Sequence, residues 1–233
     1  MIEKQLIRPL RYVLLPDGSR ADSFASAVEP GRIVSVIGAG GKTSTLFTLG
    51  WQLAAAGKTV MLTTSTRIRP FENPFPAGLQ LTAFPSEKGK LQGPEEPDLL
   101  AENADHLLIE ADGSKGLPVK APADHEPAIS KQTDHVIAVL GLSGIGKPIA
   151  QVCHRPERVC ALLHKNGEEL LTAGDAALLI ESDEGLRKDV GSRRFTVILN
   201  QADTEREVAL GRTIAAMLSS DIRCLLTAYE NFD

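Results

Sequence analysis

Apolar residues run along this chain in short unbroken blocks rather than in strict alternation with polar ones. Residues 32–37 (RIVSVI), 59–63 (TVMLT), 106–110 (HLLIE), 136–140 (VIAVL), 195–199 (FTVIL) and 222–226 (IRCLL) are each five or six residues long and mostly rich in β-branched or aliphatic side chains. Continuous apolar strands are what a sheet covered on both faces requires. Helical periodicity fills intervals between them at 43–56, stopped by Gly57, and at 156–164, 172–181 and 204–219. Strand alternating with helix predicts an α/β fold, with a three-layer, doubly wound, mostly parallel sheet forming one domain over 1–233. Residues 1–30 read as a short helix or edge element that covers the sheet. Two stretches break the rhythm: 70–97, rich in Pro, Gly and charge, and 113–134. Both read as long functional loops, the first with room for one short strand.

The stretch VIGAGGKTST, residues 36–45, sets a glycine-rich turn between the first of these strands and its helix. Glycines let the backbone bend sharply and aim several N–H groups at one anion. The helix N-terminus adds partial positive charge. In such a cradle Gly38, Ala39, Gly40, Gly41 and Ser44 supply backbone donors. Lys42 supplies a full charge for the β/γ-phosphates and Thr43 a hydroxyl for Mg2+, the arrangement of a P-loop NTPase-like protein. The usual Walker A spacing wants a glycine where Val36 stands. What remains, G-x-x-G-K-T, resembles the loop of Mur ligases and folylpolyglutamate synthetases. The rival dinucleotide fingerprint G-x-G-x-x-G meets Thr43 at its third glycine, and the next strand ends in Thr63 and Thr64 without an acid for a ribose.

A metal-bound phosphate needs a carboxylate at the end of a neighbouring strand, and HLLIEADG offers Glu110, with Asp112 as a second candidate. Asp-Gly is also an ordinary turn pair. TTSTR places Thr64 and Arg67 at the ligand end of the second strand, where a capping cluster reads equally well. VILNQADT ends a strand in N-x-x-D, which resembles the guanine-reading N-K-x-D of GTPases with Gln201 in place of the lysine. In that reading Asn200 holds the loop together and Asp203 accepts from guanine. Thr227 and Ala228 then stand where GTPases carry Ser-Ala. The same spacing makes an Asx turn or a helix cap. Lys147 and Arg155 are candidates to neutralise phosphate charge. Lys115, Lys120, His125 and His154 are candidate substrate ligands, the histidines also general acid–base groups.

The net charge of −5, with no block of Lys and Arg, argues against nucleic-acid or anionic-membrane partners. No run approaches the ~20 apolar residues that span a bilayer, and MIEKQLIRPLRYVLL lacks the pattern of a signal peptide. The expectation is a cytoplasmic protein. Cys153, Cys160 and Cys224 read as reduced structural thiols, since Cys153, His154 and Cys160 fit no zinc spacing.

Taken together, VIGAGGKTS, TTSTR, LIEADGSKGLPVKAPADHEPAI, VLGLSGIGKP, CHRPE and VILNQAD resemble the YqeC-type accessory proteins of selenium-dependent molybdenum hydroxylases, also called the selenium cofactor biosynthesis family. The likeness runs from about residue 30 onward, and ADGSKGLPVKAP is its most specific part. It implies a role in making or inserting a selenium-containing form of the molybdenum cofactor. The implied ligands and partners are a nucleotide, the molybdopterin cofactor as substrate and a molybdenum hydroxylase apoprotein. The resemblance names a pathway and not a reaction. One expectation is a Mg2+-dependent nucleoside triphosphatase or phosphoryl-transfer enzyme, GTP favoured over ATP. The alternative is a non-hydrolysing carrier of the phosphorylated molybdopterin. A ligase working through an acyl-phosphate is a weaker third, because the chain is short for a substrate domain.

Overall fold

Each of the six apolar runs becomes an inner strand of one sheet and sends alternate residues into two different cores. The structure, a computed structural model, describes residues 7–229. In chain order its strands are β1 (Tyr12–Leu14), β2 (Ile33–Gly38), β3 (Val60–Thr64), β4 (Arg67–Ile68), β5 (Leu79–Leu81), β6 (Phe84–Pro85), β7 (Leu91–Gln92), β8 (His106–Glu110), β9 (Val119–Lys120), β10 (His135–Gly141), β11 (Cys153–His154), β12 (Arg194–Asn200) and β13 (Arg223–Ala228). The α-helices are α1 (Phe24–Val28), α2 (Lys42–Ala55), α3 (Ile149–Val152), α4 (Pro156–Leu163), α5 (Ala173–Glu181) and α6 (Glu205–Ala215). The main sheet has the order β1-β13-β12-β10-β2-β8-β3-β5. All its neighbours are parallel except the β1–β13 pair.

Successive residues of a strand point to opposite faces. On β10, Val136, Ala138 and Leu140 join the core under α5 and α6, with Ala176, Leu179 and Ile214. Ile137 and Val139 join the core under α1 and α2, with Phe24, Leu46, Leu49 and Leu53. Helices therefore cover both faces, which is why these strands carry no polar side. Helix α2 holds its core side chains at three- and four-residue spacing. It ends at Ala55, Ala56 caps it, and Gly57 then takes φ +82°. Helix α5 begins on a reciprocal cap between Thr172 and Asp175. Helix α6 stops earlier than its periodicity predicts. After Ala215 the chain tightens, with Met217 N–H bonded to Ile214 O and Leu218 N–H to Ala215 O, and turns into β13.

The connection after β2 runs outward through α2 to β3. The connection after β8 crosses back to place β10 on the other side of β2. The carboxyl end of β2 therefore lies where the winding reverses, the position at which open α/β sheets bind ligands.

The first thirty residues hold both of the expected alternatives, an edge strand β1 and a short helix α1; residues 1–6 lie outside the described residues. Segment 70–97 has more structure than one short strand. Leu79, only 3% exposed, pairs with Val60 and extends the main sheet as β5. Strands β6 and β7 join β4 in a separate antiparallel sheet. The other irregular stretch hides the two-residue strand β9, paired with β11. Strands this short carry no readable period. No helix among the described residues is long and apolar enough to cross a membrane.

His135 opens β10 fully buried, its Nε2 2.8 Å from Thr196 Oγ1. Burial, reinforced by the charges of Arg194 and Arg223, holds its pKa at about 3 rather than 6.5. The folded state thus binds fewer protons than the unfolded one between these values, so stability present above pH 6.5 is lost as pH falls toward 3. We expect His135→Gln to remove this slope. Denaturant titrations at pH 7 and pH 5 should show the wild type losing about 2 kcal/mol more than the variant on acidification.

Candidate functional site

A cavity of about 850 Å³ opens at the carboxyl ends of the inner strands. Its floor is the glycine loop, Gly40 to Ser44. One wall is the β3–β4 turn and β7, and another the loop Gly113–Gly116. His154, Gln201 and Tyr229 close the remaining side.

The loop lies so close to its neighbours that two of its glycines have no substitute. Gly40 takes φ +82°, and a Cβ there would stand 2.5 Å from Gly141 Cα and 2.7 Å from Pro118 O. Gly41 takes φ +134°, and a Cβ would meet Asn200 Nδ2 at 2.0 Å. Among the described residues the backbone N–H groups of Gly40, Gly41, Lys42, Thr43 and Ser44 have no hydrogen-bond partner, the first bond of α2 being Thr45 N–H to Gly41 O. Unsatisfied donors at a helix start attract anions.

Lys42 is 3% exposed. Its ammonium donates to Gly38 O at 2.7 Å and to Ser114 Oγ at 3.1 Å, and lies 3.3 Å from Asp112 Oδ1. Thr43 Oγ1 donates to Glu110 Oε2 at 2.7 Å. Burial raises the Glu110 pKa above its ordinary value, against the charge of Lys42 and the Thr43 bond, with Asp112 adding to the rise. Asp112 sits behind the loop. Its Oδ2 accepts Gly38 N–H at 2.9 Å and lies 3.0 Å from Lys120 Nζ. Its buried Oδ1 has the Lys42 charge beside it and no hydrogen bond.

The charges continue in a row. Lys120 Nζ donates to Glu126 Oε2 at 2.7 Å, and Arg155 Nη1 reaches the same oxygen at 2.9 Å. Burial alone would raise the Glu126 pKa; the Lys120 bond and charge, with Arg155, outweigh it and hold the carboxyl at about 2. Arg155 Nη1 also lies 2.8 Å from His154 Nε2. A guanidinium only donates, so Nε2 accepts and the imidazole is neutral. Its pKa is lowered by burial and by Arg155, in line with that geometry.

On the other flank Asn200, fully buried, clamps the loop. Its Nδ2 donates to Gly40 O at 2.7 Å and to Tyr229 Oη at 3.0 Å, and its Oδ1 accepts from Thr227 Oγ1 at 2.8 Å. The Asp203 carboxylate accepts the Tyr229 N–H at 2.7 Å, and Ala202 N–H bonds Thr227 O. Ala228 pairs with Tyr12 in the ladder to β1.

The structure gathers Gly38 to Ser44, Glu110 and Asp112 at one strand end, with Asn200 locking the loop. Arg67, Lys115 and His154 line the cavity. Thr64 is spent on structure, its hydroxyl donating to Glu110 O and accepting Thr66 N–H. Lys120 and Arg155 stand behind the wall in the charge row. Lys147 and His125 are exposed and line no part of the cavity. The site also takes in Glu126, which joins Lys120 to Arg155, and Ser114, Tyr229, Arg69, Lys90 and Gln92 on the cavity wall. The Arg-Ile-Arg alternation at 67–69 was the one visible signal, a short strand with a basic face. All three thiols are free, and burial raises Cys153 and Cys224 to about 12. No cluster of metal-ligating side chains of three or more occurs among the described residues.

Fold and site together define an α/β protein with a mostly parallel sheet and a cavity built on a glycine loop where the winding of the sheet reverses. The YqeC protein family model matches residues 34–157, from β2 through the charge row to the start of α4. The protein of Escherichia coli (strain K12) called "Uncharacterized protein YqeC" is 32% identical over 218 residues, covering 83% of this chain and 85% of the relative. The chain belongs to the YqeC family. No solved structure matches it.

Asn200→Ala leaves Gly40 O and the Thr227 hydroxyl without their partner at a buried position. We expect a loss of roughly 2–3 kcal/mol in denaturant unfolding, against about 1 kcal/mol or less for an exposed-surface control such as Glu205→Ala.

Proposed function

We propose that the protein is a P-loop NTPase-like, Mg2+-dependent nucleotide-binding protein that hydrolyses its nucleotide, GTP in preference to ATP. The observation that carries this is the row of five unpartnered N–H groups from Gly40 to Ser44, with the Lys42 ammonium beside them. That is a cradle for a phosphate chain and for little else. The site also fits a metal. Thr43 and Glu110 already touch, and a carboxyl whose ionisation is disfavoured by burial gains from a divalent cation. Thr43 and Glu110 would hold Mg2+, which would offset the negative charge of the phosphates. Lys42 lies on the phosphates, and Asp112 keeps Lys42 and Gly38 in place.

Guanine is favoured by the elements on the far flank. Asn200 fixes the loop to the ends of β12 and β13, the function that the N-x-x-D reading gives it. Asp203 accepts the Tyr229 N–H, which holds its carboxylate beside the end of β13, where that reading places it. Family membership supports a place in maturation of the cofactor of a selenium-dependent molybdenum hydroxylase, which the sequence resemblance implies. In that setting hydrolysis drives an assembly step rather than making a product of its own.

Calorimetric titration of GTP and ATP, with and without Mg2+, tests the reading. Binding should require Mg2+ and fall by at least about a hundredfold in Lys42→Ala, the loss of one phosphate-pairing charge. No binding of either nucleotide at millimolar concentration rejects it. Pterin fluorescence on the purified protein would then assign the cradle to the phosphorylated molybdopterin.

A further inference from the structure

The cavity has a second basic wall that the nucleotide reading does not use. Arg67 and Arg69 alternate along β4 and the residue after it, with the buried Ile68 between them. Side chains two apart share a face. Arg67 pairs with Gln92 of β7 in an antiparallel ladder, a register that carries Arg69 toward Lys90. Arg67, Arg69, Lys90 and Gln92 all line the cavity, and Lys115 lines it from the loop after β8. On a chain of net charge −5, four cations meet on a cavity wall whose one carboxylate is Glu110. Arg67 has only a loose contact with the exposed Glu87, at 3.5 Å. Among the described residues Arg69, Lys90 and Lys115 have no ion pair.

Strand order separates this wall from the Asn200 flank. The Asn200–Thr227 end lies at β12 and β13, two and three strands to one side of β2. The basic wall grows from β3, two strands to the other side. Two strand spacings are about 10 Å. A nucleotide with its phosphates on the loop and its base on the Asn200 flank leaves this wall on the side away from its base.

We propose that the small antiparallel sheet β4-β7-β6 and Lys115 form a second anion site, which takes a phosphate-bearing small molecule alongside the nucleotide. Paired guanidiniums on one strand face match phosphate oxygens, and Gln92 adds an amide. The word "alongside" rests on the nucleotide reading above; the anion site does not.

Inorganic pyrophosphate is the probe, titrated by calorimetry into wild type, wild type saturated with a non-hydrolysable Mg2+–GTP analogue, Lys42→Ala, and Arg69→Ala/Lys90→Ala. Both substituted residues of the double variant are exposed, so it should fold. The expected result is one pyrophosphate bound to the nucleotide-loaded protein, weakened by at least about tenfold in the double variant, whose affinity for the GTP analogue stays the same. Competition between pyrophosphate and the analogue, with both weakened in the double variant, gives these cations to the nucleotide's own phosphates and overturns the proposal. Absence of pyrophosphate binding overturns it too. If no nucleotide binds, but pyrophosphate binds Lys42→Ala and not the double variant, the anion site stands and the nucleotide reading falls.

Discussion

The site depends on one buried carboxylate. Asp112, 2% exposed, is shared by the Gly38 N–H, Lys42 and Lys120. A single charge taken out of water among apolar strands costs several kcal/mol, and only close partners of opposite sign offset it. Two ammoniums and one backbone donor do so here, and in return they lose their own freedom. Lys120 is drawn inward from β9, and Lys42 is curled back over its own turn. The glycine loop, the strand beside it and the 113–126 segment are thereby fixed by one group. Glu126 then keeps Lys120 from being an excess positive charge, and Arg155 balances Glu126. Each member is needed because of the member before it.

The inner strands and longer helices were legible in the sequence because both obey a period that burial imposes. VIAVL, apolar throughout and only five residues long, reads as a strand covered on two sides. The α2 periodicity ended where Gly57 made ending easy. The glycine loop and Glu110 were legible for another reason, since their chemistry is local to ten residues. What stayed hidden was of two kinds. Strands such as Val119–Lys120 are too short for a pattern, and exist because neighbours hold them. Glu126 looked like one more charge in ADHEP, and its place between Lys120 and Arg155 is a fact of tertiary packing alone. Lys147, next to a second Gly-Lys pair, looked like site chemistry and stands outside the cavity. A dipeptide without a strand end and a helix start around it carries little information.

The same contrast divides the cavity. On the Asn200 flank the polar groups bond one another, so that part is preformed and stiff. The β4–β7 wall has long charged side chains with few partners. Such side chains keep their rotamer entropy and give it up only to a ligand. A rigid flank beside a loose one suits the pair of ligands proposed above, one gripped in a fixed pose and the other free to vary in shape.

The sheet's edges carry a consequence for how the chain is made. The outer strands, β1 and β5, are three residues each. Long exposed edges invite pairing with other chains, and short ones blunt that tendency. Yet β1 bonds to β13, Tyr12 opposite Ala228. Until β13 has left the ribosome, β1 has no strand to pair with, and β12 lies open at the margin of a parallel sheet already rich in distant contacts. Such topologies fold slowly and are exposed to aggregation while they do. The sheet is thus best protected against self-association once β13 has joined it and least protected just before that.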